Sequence, residues 1–311
     1  MPDTQACSTG ARPPSGRQFV ISAGDTVAVV TEVGAGLRSL AVGAHDLVWG
    51  YGADEMAGGG RGQVLAPWPN RLEDGRYTYD GKTAQAAIDE PAKNNAIHGL
   101  VRWLTWEMDS HEASKVALSC VLAAQPAYPW SLRLSMEYEV AEGSLLVRTR
   151  VANVGEGRAP LGLGFHPYLY AGPGGVDTCR LTVPAERHLV VDDRAIPRST
   201  QGVGGTGLDL RAGRRLSGVP LDDCFTGLAA LGESWEVLLE TPERRVGLWA
   251  SSEFAYVMCF TGDTLEPADR RRGVAVEPMT CPPNALRSGT GIWALLPGAE
   301  REASWGIRLA G

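Results

Sequence analysis

The segments Leu132-Arg-Leu-Ser-Met-Glu-Tyr-Glu-Val140 and Ser144-Leu-Leu-Val-Arg-Thr-Arg-Val151 decide the fold class of this chain. Apolar and polar side chains alternate along both segments, which is the period-two pattern of a strand with one buried face. Short apolar runs of the same kind continue outward on both sides, from Gln18 to Leu309, and Gly, Pro, Asn and Asp separate them. Strands repeated in this way predict an all-β protein, built as a large antiparallel β-sandwich.

The composition argues against helical architectures. The 311 residues include 39 Gly and 20 Pro, and both residue types are costly inside a helix. No apolar pattern of helical period extends beyond about two turns, and no internal repeat typical of a solenoid or propeller occurs. We therefore predict a single domain over residues 18–311. The preceding residues 1–17 are polar and rich in Gly, Pro and Ser, and we expect them to form a disordered tail.

Charge and cysteine content limit the partners that the sequence predicts. The formal net charge of −7 does not favour nucleic acid as a partner. No apolar run reaches the length of about 18 residues that a membrane span needs. The six cysteines form no CxxC pair, so neither a zinc knuckle nor a disulfide scaffold is indicated. We expect a soluble cytoplasmic protein without a membrane partner, acting as a monomer or a homodimer.

Several polar residues stand beside rigid backbone, where a pocket is expected. His98 lies between Ile97 and Gly99, and His166 lies between Phe165 and Pro167. Glycine permits close backbone approach, so His98 is predicted at a strand end. Proline limits strand pairing at His166, where the flanking aromatic residues are expected to form one wall of a pocket. Taken singly, each histidine is more typical of a structural residue than of a catalytic one. The further candidates are Trp68, Asn70, Arg71, the pair Asp222 and Asp223, and Glu277, which ends an apolar run.

Taken together, these segments resemble the aldose 1-epimerase (galactose mutarotase) family. The resemblance covers roughly residues 18–309. It implies a galactose mutarotase-like supersandwich, an isomerase that acts on carbohydrates, and a reaction that needs neither a cofactor nor a metal. Five segments carry it, in the same order and at matching separations: Asn70-Arg71 with Gly75-Arg-Tyr77, Ile97-His-Gly99, Phe165-His-Pro-Tyr168, Leu221-Asp-Asp-Cys-Phe225, and Val276-Glu-Pro-Met-Thr280 with Asn284-Ala285.

The resemblance implies catalytic roles for three residues. Glu277 corresponds to the family's general base, His166 to its general acid, and His98 to a second histidine that polarises the ring oxygen. In mutarotation the base takes the C1 hydroxyl proton while the acid protonates the ring oxygen, which opens the ring. The ring then closes on the other face of C1. A carboxylate with the ordinary pKa of about 4.3 is ionised at neutral pH, which suits Glu277. An ordinary imidazole is mostly neutral there, so we expect Glu277 and Asp222 to raise the pKa of His166.

The same resemblance assigns the sugar-binding residues. Arg71 and Asp222 correspond to side chains that bind sugar hydroxyls, although the adjacent Asp223 leaves that register open by one residue. We add Asn70 and Trp68 to this substrate-binding set. Trp68 packs either against the apolar face of a pyranose or in the protein core.

One departure from the family pattern concerns the substrate. Many galactose mutarotases have a second glycine after the His-Gly pair, whereas this chain has Leu100, with Arg102 close behind. This form resembles relatives that act on other sugars or on phosphorylated ones. Two carboxylates in the pocket favour a free, unphosphorylated aldohexose, whereas the positive charge of Arg102 favours a phosphorylated one.

Three alternative functions remain open from the sequence. A sugar-binding sandwich without catalysis is one, because a fold does not dictate activity. A metal site of His98, His166 and Glu277 is another, although no HxH or HExxH pair supports it. A glycoside hydrolase is the third, with two carboxylates flanking a glycosidic bond.

Overall fold

The computed structural model describes residues 12–310, which form strands joined by turns and short loops. The helical elements are the four-residue α1 (Ala285–Ser288) and the 3-10 turns Gly58–Gly60, Pro91–Lys93 and Val176–Thr178. In chain order the first strands are β1 (Gln18–Ala23), β2 (Thr26–Thr31), β3 (Leu37–Val42), β4 (His45–Asp46), β5 (Val64–Leu65), β6 (Arg71–Glu73), β7 (Arg76–Tyr79), β8 (Lys82–Gln85), β9 (Asn95–Ile97), β10 (Glu107–His111), β11 (Lys115–Leu122), β12 (Leu132–Ala141), β13 (Ser144–Asn153) and β14 (Ala159–Leu161). The remaining strands are β15 (Gly164–Phe165), β16 (Tyr168–Tyr170), β17 (Arg180–Thr182), β18 (Ala185–Val191), β19 (Pro197–Gly202), β20 (Arg214–Arg215), β21 (Asp222–Leu228), β22 (Ser234–Glu240), β23 (Arg245–Ser251), β24 (Tyr256–Phe260), β25 (Gly273–Met279), β26 (Trp293–Leu295) and β27 (Glu300–Ala310).

The larger main sheet has nine antiparallel strands in the order β10-β11-β12-β13-β27-β23-β22-β17-β20. Along β12 every second side chain is buried and the ones between are exposed or half-buried, as the alternating sequence predicts. One face of this sheet therefore packs on the core, while the other meets water.

The second main sheet has the order β19-β18-β21-β24-β25-β15-β5, and β16 also pairs with β25. Its strand β25 is buried at all seven positions. Both faces of the sheet are therefore covered at this strand, one by the core and the other by loops. Smaller units complete the fold: the sheet β1-β2-β3-β4 and the pairs β14-β26, β6-β9 and β7-β8.

The two main sheets pack face to face around one hydrophobic core. The ring of Phe165 on β15 contacts that of Trp305 on β27, with centroids 5.1 Å apart. The main cluster of buried apolar side chains extends from Phe19 to Ile307. The predicted all-β antiparallel sandwich is thereby confirmed.

The start of the described chain is packed against the sandwich. Ser15 is buried, and Arg12 and Arg17 both pair with the buried carboxylate of Glu32. For residues 12–17 the expectation of a disordered tail was therefore wrong, because an ion pair and strand contacts fix them; residues 1–11 lie outside the described residues. No helix within residues 12–310 is long and apolar enough to cross a membrane.

Candidate active site

Strand β25 carries Glu277 on the face that points away from the main core. Val274 and Val276 belong to the core cluster, so the alternate positions, including Glu277, face the loops. Only 2% of Glu277 is exposed. The strand register sets Met258 of β24 opposite Glu277, and Cys224 of β21 opposite Met258. These neighbours give the carboxyl group a largely apolar floor.

His166 lies in the link between β15 and β16 and faces the same side of the sheet. Its neighbour Phe165 packs in the core, so the imidazole is directed the other way. The Nε2 atom of His166 lies 3.2 Å from Oε1 of Glu277. His166 is 5% exposed. The fold thus joins two titratable groups that are far apart in the sequence into one buried pair.

His98 completes a contiguous group of three titratable side chains. Its ring meets that of His166 edge to face, with centroids 5.2 Å apart and an interplanar angle of 74°. The backbone at His98 is left-handed, with φ of 64°, and its N–H donates to the carbonyl oxygen of Asn70 at 2.9 Å. A Cβ atom on Gly99 would lie 2.1 Å from the carbonyl oxygen of Ala66. Only glycine therefore permits these two loops to lie side by side.

Arg71 is fixed by a carboxylate that the sequence did not reveal. Its Nε and Nη2 atoms both donate to Glu90, each with a bond of 2.9 Å. No hydrogen bond to a residue in 12–310 engages the second terminal nitrogen, Nη1. The pKa of Arg71 is raised: burial opposes the charge, but the bonds to Glu90 and the fields of Asp222 and Glu277 outweigh it. The guanidinium is thus held rigidly, with one nitrogen available.

Asn70 forms the turn that leads into Arg71. Its φ of 55° is left-handed, and its Oδ1 atom accepts the N–H of Arg71 at 2.8 Å. Asn70 is nearly buried. The bond from His98 to the Asn70 carbonyl and this turn together tie the arginine and the histidine to one short loop.

The strand register separates the two adjacent aspartates. Asp222 lies two residues before Cys224 and therefore on the face of β21 that carries Glu277 across the sheet. Asp223 shares the opposite face with Phe225, which packs in the core. Asp222 is exposed, and its field acts on both Arg71 and Glu277. Of the two candidates, Asp222 is the one on the site side.

Trp68 occupies the core. It is 2% exposed and belongs to the main hydrophobic cluster. Of the two positions expected for Trp68, the structure shows the one in the core, and its place in the substrate-binding set is corrected because no face of the indole is open. The tryptophan thus anchors the segment Pro67-Trp-Pro69 from inside the core.

The protonation of the buried pair differs from the expectation. Burial lowers the pKa of His166 to about 3. Burial also raises the pKa of Glu277 well above its ordinary value, with Asp222 adding to the effect and Arg71 opposing it. Burial likewise holds the pKa of His98 well below its usual range. The predicted increase in the pKa of His166 is wrong, because burial penalises the charged imidazole and the positive charge of Arg102 adds to the decrease.

Sequence reasoning missed three parts of the site. Glu90, which holds Arg71, has no recognisable motif around it. Tyr168 was noted only as part of a motif, yet its ring stacks on His166. Gly60 touches the same imidazole, and the run Gly58-Gly-Gly60 was the signal that close backbone approach occurs there.

The histidines and Glu277 are not arranged as a metal site. No group of three His, Cys, Asp or Glu side chains within residues 12–310 is placed to hold a metal ion. A separate surface hollow of about 670 Å³ lies on the outer side of the nine-stranded sheet, lined by residues such as Glu137, Arg148 and Glu302. None of the candidate site residues lines it.

Comparison with known proteins gives a consistent result. The family model described as aldose 1-epimerase matches residues 17–308. YihR from Escherichia coli K12, named an uncharacterized protein, is 33% identical over 94% of this chain and 93% of its own. Galactose mutarotase of Rattus norvegicus is 31% identical over 48% of this chain and 45% of that protein.

Solved structures share the fold at low sequence identity. A homologue of GalM/aldose epimerase from C. elegans superimposes with a TM-score of 0.84 at 19% identity, covering 94% of this chain and 98% of that one. A galactose mutarotase-like protein from Clostridium acetobutylicum gives a TM-score of 0.80 at 20% identity, with 94% of each chain covered.

Proposed function

The chain belongs to the aldose 1-epimerase family, and from this premise we propose that it interconverts the α- and β-anomers of a free aldohexose. The observation that carries the proposal is the buried pair of His166 and Glu277, with Nε2 and Oε1 3.2 Å apart. Such a pair supplies one group to accept a proton and one to donate a proton at the same place. Positioned acid and base groups typically contribute about 10²–10⁴-fold in rate.

The pair is proposed to work with a single shared proton. In the free protein burial favours the uncharged forms, so the proton rests on Glu277 and His166 is neutral. Transfer of this proton from Oε1 to Nε2 gives a carboxylate and an imidazolium. These are the forms that a general base and a general acid require.

Ring opening then returns the pair to its uncharged form. Glu277 takes the proton of the C1 hydroxyl, and His166 gives its proton to the ring oxygen as the bond from C1 to that oxygen breaks. The products are the open-chain aldehyde, protonated Glu277 and neutral His166. After rotation about the C1–C2 bond the transfers reverse and the ring closes as the other anomer. No cofactor takes part, and His98 is proposed to donate a hydrogen bond to the ring oxygen.

Substrate binding is assigned to the polar groups around this pair. The free Nη1 of Arg71 and the carboxylate of Asp222 suit adjacent sugar hydroxyls, because charged groups make the stronger hydrogen bonds. Asn70 joins them through the loop that it shares with Arg71. The carbonyl and hydroxyl groups of a sugar match these donors and acceptors without any added charge.

The ion pairs that Arg71 and Arg102 form within the protein support an unphosphorylated sugar as the substrate. Arg71 is paired with Glu90, and Arg102 is paired with Asp89 at 2.6 Å. A phosphate group would therefore meet cations that are already neutralised, together with the exposed carboxylate of Asp222. This favours a free aldose over a sugar phosphate.

Polarimetry tests the proposal directly. Freshly dissolved α-D-glucose and α-D-galactose are expected to reach their equilibrium rotation faster with the protein, after subtraction of the spontaneous rate. Glucose 6-phosphate serves as the charged comparison and is expected to be accelerated less. Failure to accelerate any common aldose contradicts the proposal. Heat of sugar binding in a calorimeter without acceleration identifies a binding protein instead.

A further inference from the structure

The imidazole of His166 is enclosed by its neighbours on several sides. Tyr168 stacks against one face, with ring centroids 5.1 Å apart and planes inclined by 19°. His98 meets the ring edge to face. The backbone of Gly60 lies against the ring edge that carries Nε2. The orientation of the proposed acid is therefore set by groups that do not themselves exchange a proton with the sugar.

Tyr168 is in turn held from two directions. Its side chain is fully buried, and its hydroxyl donates to the carbonyl oxygen of Gly59 at 2.9 Å. The ring of Trp49 contacts it edge to face at 5.3 Å. A ring fixed in this way restricts rotation of the imidazole stacked on it.

Gly60 controls the other side of the imidazole. Its φ is 77°, and a Cβ atom there would lie 2.7 Å from Cδ2 and 2.9 Å from Nε2 of His166. Real Cβ atoms do not approach so closely, so a side chain at position 60 requires either the imidazole or the backbone at Gly60 to shift, and the positive φ strains any residue other than glycine there. Either shift changes the position of Gly60 relative to the Nε2 atom that faces Glu277.

The segment that contains Gly60 is itself anchored. We call Gly58–Gly60 the glycine loop. The Nε atom of Arg61 donates to the Gly58 carbonyl and its Nη1 atom to the Gly50 carbonyl, each at 3.0 Å. The same guanidinium lies over the ring of Trp49, 4.5 Å from its centroid. Arg61, Trp49, Tyr168 and His166 thus form one continuous packed series with the glycine loop.

We propose that Tyr168 and Gly60 are positioning residues for His166, and that they hold its Nε2 atom in line between Glu277 and the ring oxygen of the sugar. This inference rests on the proposed function, in which His166 is the acid. Neither residue exchanges a proton with the sugar in the proposed reaction. Tyr168 fixes the plane of the imidazole, and Gly60 leaves its Nε2 edge clear. Misplacement of a reacting group by about 1 Å can cost on the order of 100-fold in rate.

Kinetics of four variants test the assignment. Tyr168→Leu removes the stacked ring, and Gly60→Ala adds the obstructing methyl group. Both are expected to lower kcat about 10- to 100-fold with KM changed less than about twofold. Tyr168→Phe keeps the ring and loses only the hydrogen bond to Gly59, so it is expected to retain most of the original kcat. Tyr170→Phe is the control, because that ring lies near Arg244 rather than His166, and it is expected to retain full activity.

Kinetic results of the opposite kind overturn the proposal. They are a kcat within about twofold of the original for folded Tyr168→Leu and Gly60→Ala, or a loss that falls on KM alone. The melting temperature of each variant shows whether it is folded. If Tyr168→Leu does not fold, Gly60→Ala alone decides, since it removes no packing.

A spectroscopic measurement separates this inference from the proposed function. The chain has five histidines, so ¹⁵N-histidine labelling gives few signals, and loss of a signal in His166→Asn assigns that of His166. Tyr168→Leu and Gly60→Ala are expected to shift the His166 signal and leave those of His45, His111 and His188 in place. An unmoved His166 signal contradicts the inference. Inactivity of the unaltered protein on every aldose contradicts the proposed function alone, because the spectrum still tests the packing.

Discussion

Strands β12 and β25 lie in different main sheets, and their glutamate side chains lie in opposite environments. On β12 glutamates alternate with buried apolar residues and face water, where Glu137 and Glu139 both pair with the half-exposed Arg148. On β25 all seven positions are buried, and the one carboxyl group among them, Glu277, faces His166. The same residue type is a surface group in one sheet and a group with a strongly raised pKa in the other.

The difference follows from what covers the second face of each sheet. Water solvates the outer face of β12, so its ion pairs contribute little to stability. The second face of β25, which carries Glu277, is covered by loops, among them those that contain Asn70 and His98. Burial under these loops makes a charge costly. A buried carboxyl group that is retained despite this cost, beside a histidine, is typical of a functional site. The predictions below test this contrast.

Removal of the buried carboxyl group has the largest expected effect. Glu277→Gln is expected to lower kcat about 10²–10⁴-fold, because the amide cannot accept the C1 hydroxyl proton. The melting temperature is expected not to fall, because a buried ionisable group is removed. Glu302→Gln, on the exposed face of β27, is the matched control and is expected to keep full activity. Polarimetry and thermal unfolding measure both variants, and full activity of Glu277→Gln contradicts its role as the base.

Core packing between the sheets gives the next effect, on stability rather than activity. Leu134 on β12 is fully buried, and Leu134→Ala is expected to lower the free energy of unfolding by about 2–5 kcal/mol. Leu309→Ala, on the same sheet but 39% exposed, is expected to change it by less than about 1 kcal/mol. Urea unfolding measures the difference. Equal losses in the two variants would show that the faces of this sheet are not distinguished as described.

Replacing an arginine by lysine is expected to have a smaller effect, on KM, and only at the site side of the fold. Arg71→Lys cannot keep the two-pronged bond to Glu90, and we expect KM to rise about tenfold, the value of one charged hydrogen bond of about 1.5 kcal/mol. Arg148→Lys is expected to leave KM unchanged and stability within about 0.5 kcal/mol. An unchanged KM for Arg71→Lys excludes this arginine from sugar binding.

The pH dependence is expected to show no change where an ordinary histidine would produce one. A lone imidazole acid gains activity as pH falls through its pKa of about 6.5. Here the buried pair already holds its single proton, and a second proton is taken up only near the lowered pKa of His166, about 3. We therefore expect kcat/KM to stay constant from about pH 7 to about pH 5. A rise with a midpoint near 6.5 would mean that His166 titrates as an independent group.

The sequence was a good guide to the elements and to the residue types of the site. Alternation along Leu132–Val140 gave β12 correctly, because a strand with one wet face has a local period of two. Alternation could not describe β25, since a strand buried on both faces has no polar partner at every second position. Glu277 stood out there only because a charged residue interrupts an apolar run.

Three features that the sequence did not settle have a common cause. The packed state of Ser15, the core position of Trp68 and the direction of the pKa shift of His166 all depend on how completely other segments exclude water. Solvent exclusion is a property of the assembled chain. No spacing or residue type near His166 indicates that Tyr168, Gly60 and His98 enclose it.

By itself the sequence determined the strand content, the family resemblance and the set of chemically capable residues, because periodicity and motif order are properties of the chain read in one direction. The tertiary structure decided which of these residues meet. It joined His166 to Glu277, put Asp222 rather than Asp223 on the site side, and gave Arg71 its partner Glu90. It also set the protonation of the pair, since the cost of a buried charge depends on all the groups that surround it in space.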